Sequence, residues 1–219
     1  MQSKKGLPFG DEELKEHLEN QWTEEGKWES YIAIGREYTE DEAVQRGEFV
    51  NKTVGMLVLN EQTTEHLHKD PRTGTYTEER IKQHDEILKS FHSKFENIPS
   101  DGKVIFSAGL PGAGKTTVLG MLGEENKDLD MSNYAFVSSD DFKEEFAKRG
   151  MIPEVDGLTP MEASTLTHEE SSYLADRFLK ELSDKKKNII YDFTCKKYDS
   201  TAERINTLKE SGYQEKDMQ

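Results

Sequence analysis

The chain has 219 residues, 33% of them hydrophobic and 33% charged, with a formal net charge of −15. That length holds one ordinary domain plus additional chain, and that composition a modest core with long solvent-facing helices or arms. The acidic balance argues against general nucleic-acid or membrane-surface binding, since phosphate-rich partners are repelled, but it allows one small anionic ligand at a local basic site.

The chain opens on "MQSKKGLPFGDEELKEH", which has two lysines but no apolar core of a signal peptide. No later run approaches the ~20 apolar residues of a spanning helix, so the cytoplasm is the expected location. Residues 1–75 are rich in Glu, Lys, Thr and Gly and carry both tryptophans, Trp22 and Trp28. Short helices are expected at Asp11–Gln21 and from Thr39, where "TEDE" has capping-box spacing. "MLVLN" reads as a short strand or a helix end, and "HKDPRTGTY" as a turn or linker. This segment is expected to be a mainly helical N-terminal extension, packed on the main domain or separate from it.

From Thr75 the pattern sharpens. "TYTEERIKQHDEILKSFHSKF" opens with a capping box, Thr75 to Glu78, and sets Ile81, Ile87, Leu88, Phe91 and Phe95 near one helical face. "KVIFSA" predicts a buried strand, followed by a Gly-rich turn and a helix from about Gly114 to Leu122. "YAFVS" predicts a second strand and "DDFKEEFAKRG" a short helix stopped by Gly150. In "LTPMEA", Thr159 at the N-cap, Pro160 at the first helical position and Glu162 three residues on predict a long helix to about Ser183. "NIIYDF" predicts a third strand. "STAERINTLKESG" predicts a helix with a capping box, Ser200 to Glu203, and Gly212 at its end. The single cysteine, Cys195, excludes an internal disulfide and a CxxC metal site. Alternation of strand and helix predicts an α/β fold, a parallel sheet with flanking crossover helices. Another strand is expected after Gly212.

The Gly-rich turn is Gly109-Leu110-Pro111-Gly112-Ala113-Gly114-Lys115-Thr116-Thr117, which contains G-x-x-x-x-G-K-[ST] between a predicted strand and a predicted helix. Such a loop turns its backbone N–H groups inward around phosphate oxygens, and side chains at the glycines would obstruct that approach. The following helix adds its dipole and free N–H groups. Lys115 is expected to reach the β- and γ-phosphates of ATP, Thr116 to ligate Mg²⁺ and Thr117 to touch the α-phosphate.

Ligands of open α/β sheets lie beyond the carboxyl ends of the strands. The second strand ends in Asp140 and Asp141, the third in Asp192 followed by Thr194, Lys196 and Lys197. Phosphoryl transfer to a hydroxyl needs a carboxylate to take the proton and to help hold Mg²⁺. Asp140, closest to the strand end, is the expected base and metal partner; Asp141 is the alternative, unless it caps the next helix. Asp192 reads as a Walker-B-type acid or as a turn acid. Thr194 and Lys196 read as ligands of the acceptor or a phosphate, or as solvated loop residues. His168, Glu169, Glu170 and Asp176 share one helix and match no metal spacing.

Taken in order, "GLPGAGKTT", "VSSDDFKEEF", "TPMEASTLTHEESSYLADRFLKEL", "KNIIYDFT" and "LKESGY" resemble the zeta-toxin family of P-loop kinases over about Thr75 to Tyr213. The resemblance implies an ATP/Mg²⁺-dependent small-molecule kinase, whose best-known members phosphorylate the sugar of UDP-N-acetylglucosamine, and an antitoxin partner. It implies nucleotide contacts for Lys115 and Thr116, the general base for Asp140, and acceptor binding for Asp192 and Thr194. Lys196 stands where some members have arginine, and Asp176 near a substrate-contacting glutamate. In the family, a further strand and lid arginines follow the "GY" position. This sequence carries only "QEKDMQ" there, so slow turnover or simple nucleotide binding is expected of it. Other acceptors, such as an antibiotic, a dinucleotide or a polynucleotide 5′-end, are the alternatives.

Overall fold

The computed structural model describes residues 40–109, 115, 118–121, 130–193 and 198–218. The expected helix at Asp11–Gln21 and both tryptophans lie outside them. The chain divides into two compact units, one of Met1–Thr75 with Phe146–His168 and the other of Tyr76–Glu145 with Glu169–Gln219.

In the first unit, α1 (Glu40–Leu59) begins where "TEDE" is read, and "MLVL" is its last turn rather than a strand. Arg46 and Val54 lie buried on one face, whereas Val44, Met56 and Leu59 are exposed on the other. α2 (Thr64–His68) is capped by Thr63, whose hydroxyl accepts from the His66 amide. The buried Thr64 hydroxyl donates to the Leu166 carbonyl at 3.3 Å. "HKDPRTG" is a turn in which the Asp70 carboxylate accepts from the Arg72 and Thr73 amides.

The long helix expected from Thr159 is divided. The predicted capping box forms: the Glu162 amide donates to Thr159 Oγ1 at 3.3 Å, and Thr159 N–H donates to Glu162 Oε2 at 2.8 Å. It opens only a 3-10 helix, Glu162–Thr167, before the α-helix begins at His168. A run of Ser and Thr is the physical reason, since their hydroxyls compete for backbone partners; Thr167 Oγ1 donates to the Ser164 carbonyl.

The second unit carries the sheet. α3 (Glu78–Lys94) is capped by Thr77, which accepts from the Arg80 amide, two residues beyond the expected Thr75. β1 (Val104–Ala108), β2 (Ala135–Ser138) and β3 (Ile189–Phe193) are parallel, in the order β1-β3-β2. The apolar run of β3 suits this central place, and Ile189, Ile190 and Tyr191 are buried. α4 (Ser139–Lys148) follows β2 and stops before Gly150, at φ +65°. α5 (His168–Asp184) leads to β3. α6 (Tyr198–Glu210) starts two residues before Ser200, so the expected Ser200 cap falls inside the helix. Past Gly212, Met218 makes a parallel bridge to Val104, on β1, where a further strand is expected.

Phe91 of α3 stacks on Phe142 of α4 at 4.6 Å between ring centres, and Phe178 of α5 meets Phe91 edge-on at 5.6 Å. Ile105, Tyr134 and Ile190 form a second apolar cluster with Leu119, Met131 and Phe136. α3 and α5 also share a buried ionic network. Arg80 donates to both oxygens of Glu170, from Nε at 2.6 Å and Nη2 at 2.9 Å, and His84 Nε2 lies 2.6 Å from Glu170 Oε1.

Candidate active site

The turn after β1 begins at Gly109, whose φ of 154° is open to glycine and strained for other residues. Its amide donates to the Phe193 carbonyl at 3.2 Å, tying the turn to the end of β3. Lys115 is helical, as are residues 118–121. Lys115 Nζ donates to the Gly109 carbonyl at 2.9 Å and stands 3.6 Å from Asp192 Oδ1. Leu110, Pro111, Gly112, Ala113, Gly114, Thr116 and Thr117 lie outside the described residues, as do Thr194 and Lys196.

The register explains where Asp192 points. Ser107 of β1 and Ser138 of β2 are its partners on either side, so the three share one face of the sheet near the strands' carboxyl ends. Both serines are buried. Asp192 Oδ1 is buried without a hydrogen-bond partner. A carboxylate oxygen kept from water without a hydrogen bond, its lysine 3.6 Å away, costs free energy, which makes it a place for a ligand-borne cation or donor. The sheet therefore brings together Lys115 and Asp192, two of the residues singled out from the sequence.

Asp140 and Asp141 occupy the first turn of α4. The Asp140 amide donates to Ser138 Oγ at 3.2 Å, so Ser138 supplies the capping hydroxyl and Asp141 does not. The Asp140 carboxylate is exposed and accepts from Lys143 Nζ at 2.8 Å. Asp141 is more enclosed. Burial pushes its carboxyl up to about 6; Lys94 opposes the shift, and Glu144, Asp140 and Asp192 add to it.

Asp176 is engaged elsewhere. It accepts from Tyr191 Oη at 3.0 Å and from Arg204 Nε and Nη2 at 2.7 and 3.1 Å, joining α5 to β3 and α6. The guanidinium also lies over the Tyr191 ring at 5.4 Å. Burial, with Asp176 beside it, raises the Tyr191 phenol above its ordinary range. A substrate reaching Asp176 has to displace Arg204. Arg204, Tyr191, Ser107 and Ser138 were not singled out from the sequence. The serines carried one legible signal, since each lies at or next to the end of a predicted strand.

Among the described residues, no group of three or more His, Cys, Asp or Glu side chains is set to hold a metal, and no helix is long and apolar enough to cross a membrane.

A parallel sheet flanked by helices, with the sequence Gly114-Lys115-Thr116 after β1 and an acid near the end of the central strand, defines the P-loop kinase-like class. Residues 85–216 match the family model for zeta toxin, and the chain belongs to that family. A solved structure from a characterisation of the PezAT chromosomal toxin–antitoxin system of Streptococcus pneumoniae is similar, at 19% identity and a TM-score of 0.47. The match covers 64% of this chain and 55% of that one, so the chain spans about half the length of this relative. No curated protein matches the sequence.

Proposed function

We propose that the chain is an ATP- and Mg²⁺-dependent kinase that phosphorylates a hydroxyl of a small molecule, with a UDP-N-acetylsugar as the first acceptor to test. The observation that carries this reading is the 3.6 Å ion pair at the strand ends between Lys115 and a buried Asp192 oxygen that has no hydrogen bond. Bound ATP and Mg²⁺ supply the γ-phosphoryl group and neutralise charge on the phosphates. The residues present fit them: a glycine opening the turn, a lysine after it, and a carboxylate with one oxygen buried and not hydrogen-bonded.

In this scheme Lys115 leaves the Gly109 carbonyl to meet the β- and γ-phosphates. The backbone from Gly109 through Leu110, Pro111, Gly112, Ala113 and Gly114 cradles them, with Thr117 beside the α-phosphate. Thr116 and Asp140 are the residues proposed to hold the metal. Asp140 also accepts the acceptor's hydroxyl proton, and Asp192, Thr194 and Lys196 orient the acceptor. Asp176 contributes only through the Arg204 contact or after its release. Catalysis of this kind is mainly positioning and charge stabilisation. An antitoxin partner and action in the cytoplasm belong to the same proposal, from family membership.

The test is to incubate the protein with ATP, Mg²⁺ and UDP-N-acetylglucosamine and to follow ADP and phosphosugar by phosphorus NMR. Transfer by the wild type, lowered ~10²–10⁴-fold in Asp140→Asn with unchanged thermal stability, is the expected result. ATP binding without ADP formation from any hydroxyl acceptor would reduce the assignment to a nucleotide-binding module. A larger loss in Asp141→Asn would exchange the two acids.

A further inference from the structure

Ser138 is the last residue of β2 and stands where the strand hands the chain to α4. It is 5% exposed, so its hydroxyl works away from bulk water. Two relations meet at it. Along the chain, Ser138 Oγ accepts from the Asp140 amide at 3.2 Å, in the manner of a helix N-cap. Across the sheet, its register partner on β3 is Asp192. Successive residues of a strand face opposite sides, and register partners on neighbouring strands face the same one. The side chains of Ser138 and Asp192 therefore leave the sheet on one face. One small side chain stands beside Asp192 and holds the backbone of Asp140. Ser138, Asp140, Lys115 and Asp192 all belong to the sheet-bearing unit.

Asp140 is held at both ends. Its carboxylate accepts from Lys143 Nζ at 2.8 Å, one turn further along α4, and its amide donates to Ser138. The lysine belongs to the same helix and moves with it. The serine belongs to the strand, so its bond ties Asp140 to the sheet and to the row that contains Asp192. Capping alone does not call for a buried hydroxyl. Thr77 caps α3 by the same kind of bond, accepting from the Arg80 amide at 3.3 Å, and is itself exposed. A buried cap has little freedom to swing out to water, and it therefore fixes a position as well as satisfying a donor. Position matters at such a site, since a displacement of about 1 Å in a reacting group can slow a reaction about 10²-fold.

We propose that Ser138 is a positioning residue for phosphoryl transfer: its hydroxyl sets Asp140 in place relative to Asp192 and Lys115, so that the acid taking the acceptor's proton is aligned with the phosphate site. The catalytic half of this rests on the kinase reading. The placement half rests on the Ser138–Asp140 hydrogen bond alone. Without the hydroxyl, α4 stays anchored by Phe142, which is fully buried and stacks on Phe91, while its first turn gains freedom. Transfer then slows because the aligned geometry is lost. ATP, held by the glycine loop and Lys115, binds as before.

The experiment uses the full chain and the variants Ser138→Ala, Ser138→Gly and Ser138→Thr, with Thr77→Ala as a control that loses a cap elsewhere in the same unit. Glycine caps a helix nearly as well as serine but has no hydroxyl, so Ser138→Gly separates the bond from the stability of the cap. Exchange of the Asp140 amide, followed by NMR, is expected to rise about tenfold or more in Ser138→Ala and Ser138→Gly, with the β3 amides unchanged. With UDP-N-acetylglucosamine as probe, kcat is expected to fall about 10–10²-fold in the same two variants while KM for ATP holds. Ser138→Thr keeps the hydroxyl and is expected to recover most of both. Thr77→Ala is expected to lower Tm about as far as Ser138→Ala and to leave kcat unchanged. Unchanged exchange of the Asp140 amide, or equal acceleration in β3, overturns the placement by Ser138. An unchanged kcat in Ser138→Gly, or a loss in Thr77→Ala as large as in Ser138→Ala, overturns the catalytic role and leaves the serine a cap. Failure of the wild type to transfer phosphate overturns the kinase reading together with the catalytic half, while the exchange arm still decides the placement half.

Discussion

Glu170 and Asp192 are carboxylates of the same sheet-bearing unit, and their surroundings differ in one respect. Glu170 is completely buried and has both oxygens engaged, by Arg80 and His84. Asp192 has an oxygen buried with no hydrogen bond and a lysine 3.6 Å away that donates instead to the Gly109 carbonyl. A complete network adds to the fold's definition, because every charge taken from water has been given a partner. An incomplete one costs stability, and natural proteins retain such a cost where a ligand will later supply the missing partner. The α3–α5 network is thus the structural counterpart of the strand-end site. Charges of the first kind should fail as stability when broken, those of the second kind as binding.

The largest effect is expected at Glu170. In Glu170→Gln the Arg80 guanidinium stays buried against a neutral amide. Breaking a buried pair from one side costs about 3–5 kcal/mol. For a chain of this size that lowers Tm by about 10 °C, measurable by circular dichroism. A shift under 2 °C would remove the distinction between the two carboxylates. Lys115→Ala should do the opposite. The lysine lies at the strand-end site, on the Gly109 carbonyl and 3.6 Å from Asp192, and not in the aromatic core, so Tm should fall by less than in Glu170→Gln. ATP affinity by calorimetry should fall by about 1.5–3 kcal/mol, the worth of hydrogen bonds to charged groups. Equal affinities in wild type and variant would take the phosphate loop out of the reading.

The same contrast shows what the sequence reveals. Strands β1, β2 and β3 are legible because a parallel strand buried on both faces needs an unbroken apolar run. Lys115 and Asp192 are legible because the glycine motif and the acid at a strand end are local signals. Arg80 and His84 are not. They sit at the helix positions facing the core, yet their residue types read as solvent-facing. Their common partner Glu170 is 90 residues from Arg80. Arg46, which donates to Glu162, is hidden for the same reason, 116 residues away from it. The late start of α5 was misread because a genuine capping box at Thr159 opens a 3-10 turn, and the box alone does not specify which helix follows. Asp176 was assigned to a substrate from the family resemblance, and nothing local announces that Arg204, 28 residues on, holds it.

Asp141 gives the smallest effect and the finest test of the contrast. Its carboxyl is raised from 3.8 to about 6, first by burial and then against Lys94 by the neighbouring acids. A raised carboxyl binds its proton more tightly in the folded state. The stability this contributes is complete below about pH 4, the unfolded value, and is lost as pH rises through 6. Above that, folding holds an ionised carboxylate where it is poorly solvated. Asn has the same shape and no charge. Asp141→Asn is therefore expected to be more stable than wild type at pH 7.5, by roughly 1 kcal/mol after discounting for solvent screening. The gain should vanish near pH 4. Thermal melts of both proteins at the two pH values, in metal-free buffer with chelator, measure it as a difference of about 2–4 °C present only at the higher pH. A gain of the same size at both pH values would mean that asparagine merely packs or caps better there. No gain at pH 7.5 would mean that the strand-end acids carry no folding cost, and the contrast with Glu170 would lose its energetic basis.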